Sequence, residues 1–420
     1  MIKTVKGCKD IYGKDIKLFQ YSKRVLSETA EQYGYTEMVT PIIEYTELFQ
    51  RSVGQDTDIV EKEMYTFEDK GRRSLTLRPE ITASIARSYV EHHFETIPSP
   101  LRLYYIGPCF RYEKPQKGRY REFYQFGVEA IGDISPLLDA EVISLAFTIA
   151  KRFSLKEIKV KLNSIGCKKC RPIYKDALKN ALKPHYDKLC DNCKKRFYTN
   201  PLRILDCKKE SDELKKSLPK ITDYLCEECK EHLDAVKKHL TLMDIPFELD
   251  NSLVRGLDYY TKTVFEVDST NLGTQNALLG GGRYDYLIEE LGGRHVPAVG
   301  FAMGIERLIT ILEAENKTVE EQSTIYIAYQ ENVLKEAICI TNILRDNGFI
   351  VLMDTKGGNF KKQLERSAKQ HALYTIIIGE EEKEKEALQI KNMKTKEQKE
   401  IPSDQIITFL KNHIKGEKNA

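Results

Sequence analysis

The 420-residue sequence has no segment that would cross a membrane or direct secretion. No apolar run approaches the ~18 residues that a membrane-spanning helix needs, and the first residues, MIKTVKGCKDIYGKD, have no apolar core of the kind found in secretory signals. We therefore expect a cytoplasmic protein without a membrane partner. In a reducing compartment, the ten cysteines are expected to be free thiols or metal ligands rather than disulfides.

The usual nucleotide-binding loops are also missing. The chain contains no G-x-x-x-x-G-K-[ST] sequence and no G-x-G-x-x-G after a predicted strand. If a nucleotide binds, we expect arginines on an antiparallel sheet to hold it rather than the N-terminus of a helix.

Charge is unevenly distributed along the chain. The formal net charge is only +3, but residues 151–240 contain 24 lysines and arginines against 13 aspartates and glutamates. A basic segment inside an otherwise acidic chain suits a module that faces a polyanion. A lysine-rich solvated surface would give the same count, and composition does not separate the two.

Apolar spacing predicts the order of the main elements. It indicates a helix that ends at Gly34, a short strand interrupted by Pro41, and a strand followed by a helix around Pro79. The segments PLRLYYIGPCFRYE and REFYQFGVEAIG are predicted to be paired strands.

Residues 160–240 differ in composition and in apolar pattern from the segments on either side and are predicted to be an insertion. They carry seven of the ten cysteines, many lysines and no clear strand pattern. From Ser323 onward, strand and helix patterns alternate, as in a small α/β domain. We therefore expect a core of residues 1–318, interrupted by residues 160–240, and a second domain of residues 319–420.

The most informative stretch is CFRYEKPQKGRYREFYQFG, residues 109–127. Its five cations are Arg111, Lys114, Lys117, Arg119 and Arg121. Arginines on two strands joined by a Pro/Gly loop can clamp phosphates in bidentate fashion. Phe123 can stack on a base, Arg307 in MGIERL can cover its other face, and Glu113 can accept from an exocyclic amine. The alternative is a charged surface hairpin, but the stretch begins and ends in apolar strand, where cations need partners.

Two further segments contain residues suited to a ligand. In LVRGLDYYTKTVFEV, Gly256 permits close backbone approach, Arg255 can reach a phosphate, and Tyr259 and Tyr260 offer hydroxyls. The three glycines of LLGGGRYD suit a place where a ligand or strand comes very close. A core strand with tyrosines at its edge and an ordinary loop are the respective alternatives.

The segment TLRPEIT places Glu80 and Thr82 where they can share a face and bind an amine. Glutamate is also common in the first turn of any helix, so an ordinary helix start is the alternative.

Together these segments resemble the histidyl-tRNA synthetase family of class II aminoacyl-tRNA synthetases, over nearly the whole chain. FRYEKPQKGRYREFYQFG resembles motif 2 and AVGFAMGIERL resembles motif 3. The helix ending at Gly34 and the strand with Pro41 are similar to motif 1, the dimer element. LVRGLDYY and LLGGGRYD are similar to the two histidine motifs of the family, and no class I signature of the HIGH or KMSKS kind is present.

The resemblance implies an α+β fold, with a catalytic domain built on an antiparallel sheet flanked by helices, a Cys-rich insertion and a C-terminal α/β anticodon-binding domain. It also implies ATP-dependent attachment of L-histidine to tRNA(His) through a histidyl-adenylate, by a homodimer that uses ATP and Mg²⁺. The loop of residues 114–118 would enter the acceptor end of the tRNA, and the basic insertion would lie over its acceptor arm.

The resemblance also implies roles for twelve residues. Arg111 and Arg255 would be catalytic, holding the α-phosphate from two sides. The residues implied to bind ATP are Arg111, Glu113, Arg119, Phe123 and Arg307. The residues implied to bind histidine are Glu80, Thr82, Gln125, Glu129, Arg255, Tyr259 and Tyr260. Glu129 and the two tyrosines would face the imidazole, whose donor and acceptor nitrogens need such partners.

The cysteines of the insertion have metal-ligand spacing. Cys167-x2-Cys170 followed by Cys190-x2-Cys193 fits a tetrathiolate zinc pattern, while Cys226-x2-Cys229 forms a third pair and Cys207 stands alone. Which two pairs would combine is open, as is the alternative of reduced thiols without metal. The remaining cysteines, Cys8, Cys109 and Cys339, are expected in the core.

Two competing functions remain for such a sequence. A non-catalytic paralogue that senses histidine or tRNA would resemble the catalytic core, but it would be expected to lack the second domain and to lose the arginines. A zinc-dependent nucleic-acid-binding protein would account for the cysteines and leave the glycine and tyrosine motifs unexplained.

Overall fold

The computed structural model describes the whole chain except residues 55, 56, 58, 117, 270–276, 318–322 and 415–420. The chain divides into two compact units, residues 1–319 and 320–420. The boundary predicted between residues 318 and 319 lies outside the described residues.

Eleven strands are described in the first unit. They are β1 (Thr36–Glu37), β2 (Ile43–Tyr45), β3 (Tyr65–Glu68), β4 (Ser74–Leu77), β5 (Leu101–Phe110), β6 (Glu122–Ile131), β7 (Ile158–Ser164), β8 (Phe247–Leu249), β9 (Thr261–Ser269), β10 (Ala277–Arg283) and β11 (Ala298–Gly304). The predicted paired strands are β5 and β6, and Pro41 lies between β1 and β2.

Eight of these strands form one sheet in the order β1-β5-β6-β11-β10-β9-β7-β8. The six central strands are antiparallel to their neighbours, and the short edge strands β1 and β8 run parallel to β5 and β7. The strands β2, β4 and β3 form a separate antiparallel sheet. The predicted antiparallel platform is thereby confirmed.

Ten helices of the first unit are described. They are α1 (Gly13–Gln32), α2 (Thr46–Ser52), α3 (Thr82–Glu91), α4 (Pro136–Arg152), α5 (Cys170–Leu182), α6 (Asp191–Thr199), α7 (Asp212–Ser217), α8 (Glu227–Leu242), α9 (Leu287–Glu290) and α10 (Ile305–Ala314). Helix α1 is followed by Gly34 with φ +80°, which agrees with the predicted helix end. Ser135 caps α4 by accepting a hydrogen bond from the Leu137 amide.

Alternate side chains of β6 point to opposite faces of the large sheet, one apolar and one polar. Phe126 and Val128 pack with residues of α1, α4, α8 and α10 in one apolar cluster. Gln125 and Glu129 alternate with them and therefore face the other side of the sheet.

The predicted insertion, residues 160–240, overlaps two elements of the core. Strand β7 is paired along its length with β9, from Ile158 opposite Ser269 to Ser164 opposite Thr263. Helix α8 contributes to the same apolar cluster as α4. Between them, residues 165–226 are mainly helical. Their side chains Tyr174, Leu178 and Ile204 belong to the same apolar cluster as Ile81 and Tyr105 of the core.

The second unit contains a five-stranded sheet in the order β13-β12-β14-β15-β16. Its strands are β12 (Thr324–Tyr329), β13 (Ile350–Met353), β14 (Tyr374–Ile378), β15 (Ala387–Asn392) and β16 (Gln398–Pro402), and its helices are α11 (Leu334–Asp346), α12 (Phe360–Lys369), α13 (Glu380–Glu384) and α14 (Ile406–Ile414). The first three strands are parallel, as the alternating pattern predicted, whereas the hairpin of β15 and β16 was not predicted.

Among the described residues, no helix combines the length and apolar character needed to cross a membrane.

Candidate active site

A cavity of about 280 Å³ lies on the face of the large sheet that carries Gln125 and Glu129. All twelve residues to which the sequence assigned a role line it: Glu80, Thr82, Arg111, Glu113, Arg119, Phe123, Gln125, Glu129, Arg255, Tyr259, Tyr260 and Arg307. They come from segments far apart in the chain, which the antiparallel sheet brings together.

The floor of the cavity is glycine-rich because side chains pass directly over it. A Cβ on Gly300 would stand 1.9 Å from Oε2 of Glu129, and one on Gly280 would stand 2.3 Å from Nη1 of Arg255. The sequence predicted close approach at the glycine run. The structure shows that Arg255, from the same chain, makes that approach at Gly280.

Glu129 is buried and is held by three hydroxyl groups. Its Oε1 accepts from Thr82 Oγ1 at 2.7 Å and from the Tyr105 hydroxyl at 3.1 Å, and its Oε2 accepts from the Tyr284 hydroxyl at 2.5 Å. Burial raises the pKa of Glu129 to about 8, and the three hydrogen bonds only partly oppose that effect.

Tyr105 and Tyr284 had no role predicted from the sequence. Tyr284 lies two residues after the glycine run, in LLGGGRYD, and that position was the available signal. Tyr105 lies on β5 opposite Gly127, where a Cβ would be 2.3 Å from the tyrosine hydroxyl. A glycine opposite a buried tyrosine was a weaker signal, since it depends on strand register.

Glu80 and Gln125 meet the start of α3. Glu80 Oε1 accepts from the Ala83 amide at 2.9 Å, and Gln125 Oε1 accepts from the Ile81 amide at 3.1 Å. Burial raises the pKa of Glu80. Glu80 therefore serves the helix start, which was the alternative interpretation, and lines the cavity as well.

Tyr259 and Tyr260 are buried side by side, with ring centroids 4.7 Å apart. The Tyr259 ring also lies 5.6 Å from that of Tyr284 in an edge-to-face contact. This aromatic wall stands next to Glu129 and limits the width of the cavity there.

Arg111 is placed by backbone and ring contacts. Its Nε donates to the Pro79 carbonyl oxygen at 2.8 Å, and its guanidinium carbon lies 5.2 Å from the centre of the Phe123 ring. The guanidinium and the ring thus occupy neighbouring positions on the wall of the cavity.

Glu113 and Arg119 pair with each other across the hairpin, with Arg119 Nη1 donating to Glu113 Oε2 at 3.1 Å. Burial and the nearby guanidinium groups of Arg119 and Arg111 lower the pKa of Arg307. Three cations gathered in one wall favour an anionic occupant. Of the predicted hairpin loop, Lys117 lies outside the described residues.

Arg255 forms an ion pair with Glu266 of the neighbouring strand β9. Of the residues that the structure describes, Arg119 and Arg255 each have a buried Nε without a hydrogen-bond partner. Buried N–H groups of this kind are costly unless a ligand satisfies them.

The cysteines of the insertion form two groups rather than one. The first cysteine cluster is Cys167, Cys170, Cys226 and Cys229; the second cysteine cluster is Cys190, Cys193, Cys207 and Glu210. Within each, the candidate ligand atoms all lie within 4.8 Å of one another.

Of the combinations that the sequence left open, the structure brings Cys167 and Cys170 together with Cys226 and Cys229, and it places Cys207 beside Cys190 and Cys193. The spacing of cysteines along the chain does not show which C-x2-C pairs lie close together in the folded protein. The core expectation holds for Cys109 but is wrong for Cys339, which is exposed on α11.

Comparisons with known proteins agree with this architecture. The model of the histidyl-tRNA synthetase family matches residues 7–308, and that of an anticodon-binding domain matches residues 317–413. The histidine–tRNA ligase of Thermosipho africanus is 50% identical over 419 residues, covering 99% of this chain and all of that protein. The corresponding ligase of Thermosipho melanesiensis is 49% identical and covers 97% of this chain and 98% of that protein.

A solved structure is similar over the same length. The crystal structure of apo S. aureus histidyl-tRNA synthetase has a TM-score of 0.83 and 39% identity, covering 98% of this chain and all of that chain.

Proposed function

Because this chain belongs to the histidyl-tRNA synthetase family, we propose that it attaches L-histidine to tRNA(His) with ATP, releasing AMP and pyrophosphate. The observation that carries this proposal is the cavity itself. A buried carboxylate held by three hydroxyls and a wall of arginines line the same space.

The buried carboxylate suits the imidazole of histidine. Glu129 presents a hydrogen-bond acceptor, and Tyr259 and Tyr260 present hydroxyls, to a ring that carries one N–H donor and one acceptor nitrogen. An apolar side chain of similar shape would leave Glu129 buried without a ligand partner, which supplies discrimination. Glu80, Thr82 and Gln125 would hold the α-amino group.

The arginines suit the phosphates of ATP. Arg119 and Arg307 would take the β- and γ-phosphates and one face of the adenine, and Phe123 would stack on that base. Glu113 would read the adenine amine, and to do so its carboxylate has to be shared between Arg119 and the base.

In the first step, a carboxylate oxygen of histidine attacks the α-phosphorus of ATP. A new O–P bond forms, the bond from the α-phosphorus to its bridging oxygen breaks, and pyrophosphate leaves with that electron pair. Negative charge shifts among the phosphate oxygens, so cations fixed beforehand lower the barrier. Arg111 and Arg255 would stand on either side of the α-phosphate.

In the second step, a hydroxyl of the terminal adenosine of tRNA attacks the acyl carbon of histidyl-adenylate. The ester bond to tRNA forms, the bond from the acyl carbon to the adenylate oxygen breaks, and AMP leaves. We assign the 3′-hydroxyl to this attack, as the class resemblance implies.

Mg²⁺ would neutralise the charge of the phosphate oxygens when it enters with ATP. The cavity contains the donor type that Mg²⁺ prefers, since the carboxylate of Glu266 lines it beside Arg255. Glu266 would thus share its oxygens between the guanidinium and the metal.

The anticodon of tRNA would meet the second unit, whose sequence matches the anticodon-binding domain model. The loop of residues 114–118 would reach the acceptor end, and the basic segment 165–226 would contact the acceptor arm through phosphates. Replacing the exposed Lys195 and Lys216 by glutamate should raise the KM for tRNA and reduce its salt dependence, leaving histidine-dependent pyrophosphate exchange unchanged. An unchanged KM for tRNA would argue against this contact.

We also propose a cytoplasmic homodimer. Large apolar side chains are exposed on β2, on β3 and between β1 and β2, among them Val39, Ile43, Tyr45 and Phe67. Such a patch suits burial against a second copy of the chain. Light-scattering mass in solution should give twice the chain mass of 48.5 kDa, and Ile43→Lys should lower it.

At the first cysteine cluster, we propose a structural Zn²⁺. Cys167 Sγ lies 3.6 Å from Cys170 Sγ and 3.9 Å from Cys226 Sγ. Four thiolates around Zn²⁺ at about 2.3 Å would be about 3.8 Å apart, so the thiols already have the required spacing. The amides of Lys169 and Cys226 donate to sulfur atoms of the cluster, which stabilises thiolates.

A non-catalytic sensor is the weaker alternative. The chain retains all the predicted cavity arginines together with the second domain, and the compared relatives that cover it nearly end to end are ligases. Exchange of labelled pyrophosphate into ATP distinguishes the two functions. We expect exchange with histidine and near-background rates with the other amino acids; histidine binding without exchange would favour the sensor.

A further inference from the structure

We propose that the second cysteine cluster is a second, separate metal site that holds Zn²⁺ through Cys190, Cys193, Cys207 and Glu210, so that one chain carries two zinc ions. The sequence motifs indicated Cys190 and Cys193 as metal ligands but not their two partners here, because Cys207 has no CxxC partner and Glu210 is not part of any motif. Its metal content is independent of the proposed ligase reaction.

The spacing of the ligand atoms fits one ion. Cys190 Sγ and Cys207 Sγ are 3.8 Å apart, and the candidate ligand atoms of all four residues lie within 4.8 Å of one another. Ligands bound to Zn²⁺ at about 2.0–2.3 Å in a tetrahedron would be about 3.5–3.8 Å apart. The sulfur atoms are much farther apart than the roughly 2.0 Å of a disulfide bond.

The two clusters are built in the same way. Cys190 precedes α6 and Cys193 lies in its first turn, just as Cys226 precedes α8 and Cys229 lies in its first turn. A C-x2-C pair around the start of a helix brings both sulfur atoms to one side. In the second cluster, the other two ligands come from the short segment that contains Cys207 and Glu210.

Glu210 is buried beside the thiols of the second cysteine cluster and is fixed in place there. Glu210 is 8% exposed and lies beside Cys193 and Cys207, which are 0% and 8% exposed. Its Oε1 accepts from the Cys190 amide at 3.0 Å, which fixes the carboxylate toward the sulfur atoms. A buried carboxylate held among thiols in this way is placed to serve as the fourth ligand of one ion.

The charges of the site are consistent with Zn²⁺. Three thiols would lose their protons on binding, giving three thiolates and one carboxylate around a doubly charged ion, with a net charge of −2. Thiolates select soft or borderline metals such as zinc over Mg²⁺ or Ca²⁺, and carboxylate oxygen is an accepted fourth zinc ligand.

The position of the site gives it a bracing role. The turn of residues 200–205 lies in the chain between the Cys190/Cys193 pair and the segment with Cys207 and Glu210. In this turn, Arg203 Nη1 donates to the Gly256 carbonyl oxygen at 2.8 Å. Asn200 also donates to Asp258 at 2.8 Å. A metal that ties Cys193 to Cys207 would hold this turn against the loop that carries Arg255.

Metal analysis of the full-length protein, purified without chelators, tests the proposal. We expect two zinc per chain in the natural protein, one in Cys190→Ser/Cys207→Ser and one in Cys167→Ser/Cys226→Ser. Cys339→Ser, which changes an exposed cysteine outside both clusters, should retain two and is the matched control.

A second measurement does not depend on variants that fold. The natural protein stripped of metal and titrated with Co²⁺ should develop thiolate-to-cobalt absorption that saturates at two equivalents per chain. Denatured protein should also give all ten cysteines as free thiols.

The outcomes separate this proposal from the earlier ones. One zinc in the natural protein, unchanged in the Cys190→Ser/Cys207→Ser variant, overturns the second site and leaves the first standing. No zinc and no cobalt binding overturns both metal sites, and fewer than ten free thiols would show disulfides in their place. None of these results bears on histidine-dependent exchange, which tests the ligase function separately.

Discussion

Tyr284 donates a hydrogen bond of 2.5 Å to Glu129, the buried carboxylate of the cavity. This contact connects the glycine motif on β10 with the carboxylate on β6, although strand β11 lies between them. Tyr284 lies two residues after three consecutive glycines, whose backbone allows the sheet to pass close beneath the side chains of the cavity.

Tyr284→Phe removes one donor to Glu129 and should weaken histidine binding. The bond already exists without histidine and strengthens when Glu129 shares its proton with the imidazole, from the roughly 0.5–1.5 kcal/mol of a neutral hydrogen bond to the roughly 1.5–3 kcal/mol of a charged one. Only that difference of about 1–1.5 kcal/mol affects binding, so we expect Kd for histidine to rise roughly 5- to 10-fold. The pKa of Glu129 should move further above its present value of about 8, since one stabilising contact to the carboxylate is lost. Isothermal titration calorimetry measures the affinity.

Tyr104→Phe is the matched control for that experiment. Tyr104 lies on β5 next to Tyr105, but its hydroxyl donates to Glu31 on α1, away from the cavity. Histidine affinity should be unchanged in this variant. Equal losses in Tyr104→Phe and Tyr284→Phe would mean that the effect is one of general stability.

The raised pKa of Glu129 predicts the pH dependence of histidine binding. If Glu129 and the imidazole share one proton when histidine is bound, no proton is exchanged between pH ~6.5, the ordinary value for free imidazole, and the Glu129 value of about 8. Above that range, binding must take up a proton, and Kd should rise about tenfold per pH unit; below it, binding must release one.

Calorimetry in buffers of different ionisation enthalpy counts these protons, and Glu129→Gln provides the comparison. The variant should lose the weakening that begins near pH 8. A decline that persists unchanged in Glu129→Gln would belong to another group, such as the α-amino group of the ligand, and would contradict the shared-proton arrangement.

Arg255 can be tested separately from its ion pair. Arg255→Ala should lower histidine-dependent pyrophosphate exchange by about 10²–10³-fold, comparable to removing one preorganised donor at a developing anion. It also leaves Glu266 largely buried without its guanidinium, and it should therefore destabilise the protein.

The double variant Arg255→Ala/Glu266→Gln, compared with Glu266→Gln alone, separates the two effects. The single variant is needed because Glu266 is also the proposed Mg²⁺ ligand, and exchange in the double variant should stay well below that of Glu266→Gln. Removing the orphaned charge should restore much of the stability, measured by urea unfolding, without restoring exchange. If the exchange rate recovered together with the stability, Arg255 would have a structural role and no catalytic one.

The sequence predicted the residues that line the cavity better than it predicted the contacts between distant segments that hold the fold together. Phe123, Gln125 and Glu129 alternate with apolar residues, so a period of two was enough to place them on one face. The arginines could also be recognised as candidate ligand-binding residues, because a charged side chain in an apolar strand is costly unless it has a partner.

What the sequence did not show depends on contacts between distant segments. The pairing of Cys226 with Cys167, and of Cys207 with Cys190, is set by how helices return to one place, which spacing does not encode. Strand β7 was assigned to an insertion because cysteines and lysines follow it closely, although its own residues pair with β9.

The buried ion pair of Arg283 and Asp139 was missed for a similar reason, and it leads to a prediction about stability. Both side chains are fully buried, Arg283 Nε donates to Asp139 Oδ2 at 3.1 Å, and His232 lies 3.2 Å from the same carboxylate. Despite the opposing effect of burial, Arg283 and His232 hold the pKa of Asp139 down at about 2. Helices α4 and α8 are thereby fastened to β10.

Asp139→Asn should destabilise the first unit by about 3 kcal/mol, the lower end of the range for a broken buried ion pair, because the buried Arg283 guanidinium keeps Asp285 as a carboxylate partner at 3.2 Å. Urea unfolding at pH 7 measures this loss, and Asp234→Asn on the exposed face of α8 should cost only about 0–1 kcal/mol. The folded pKa of Asp139 is depressed, so its contribution is fully present above the ordinary value of 3.8 and disappears as pH falls through about 2. The difference between natural protein and Asp139→Asn should therefore be constant from pH 5 to 8 and narrow below pH 4; a difference that grew on acidification would contradict the ion pair.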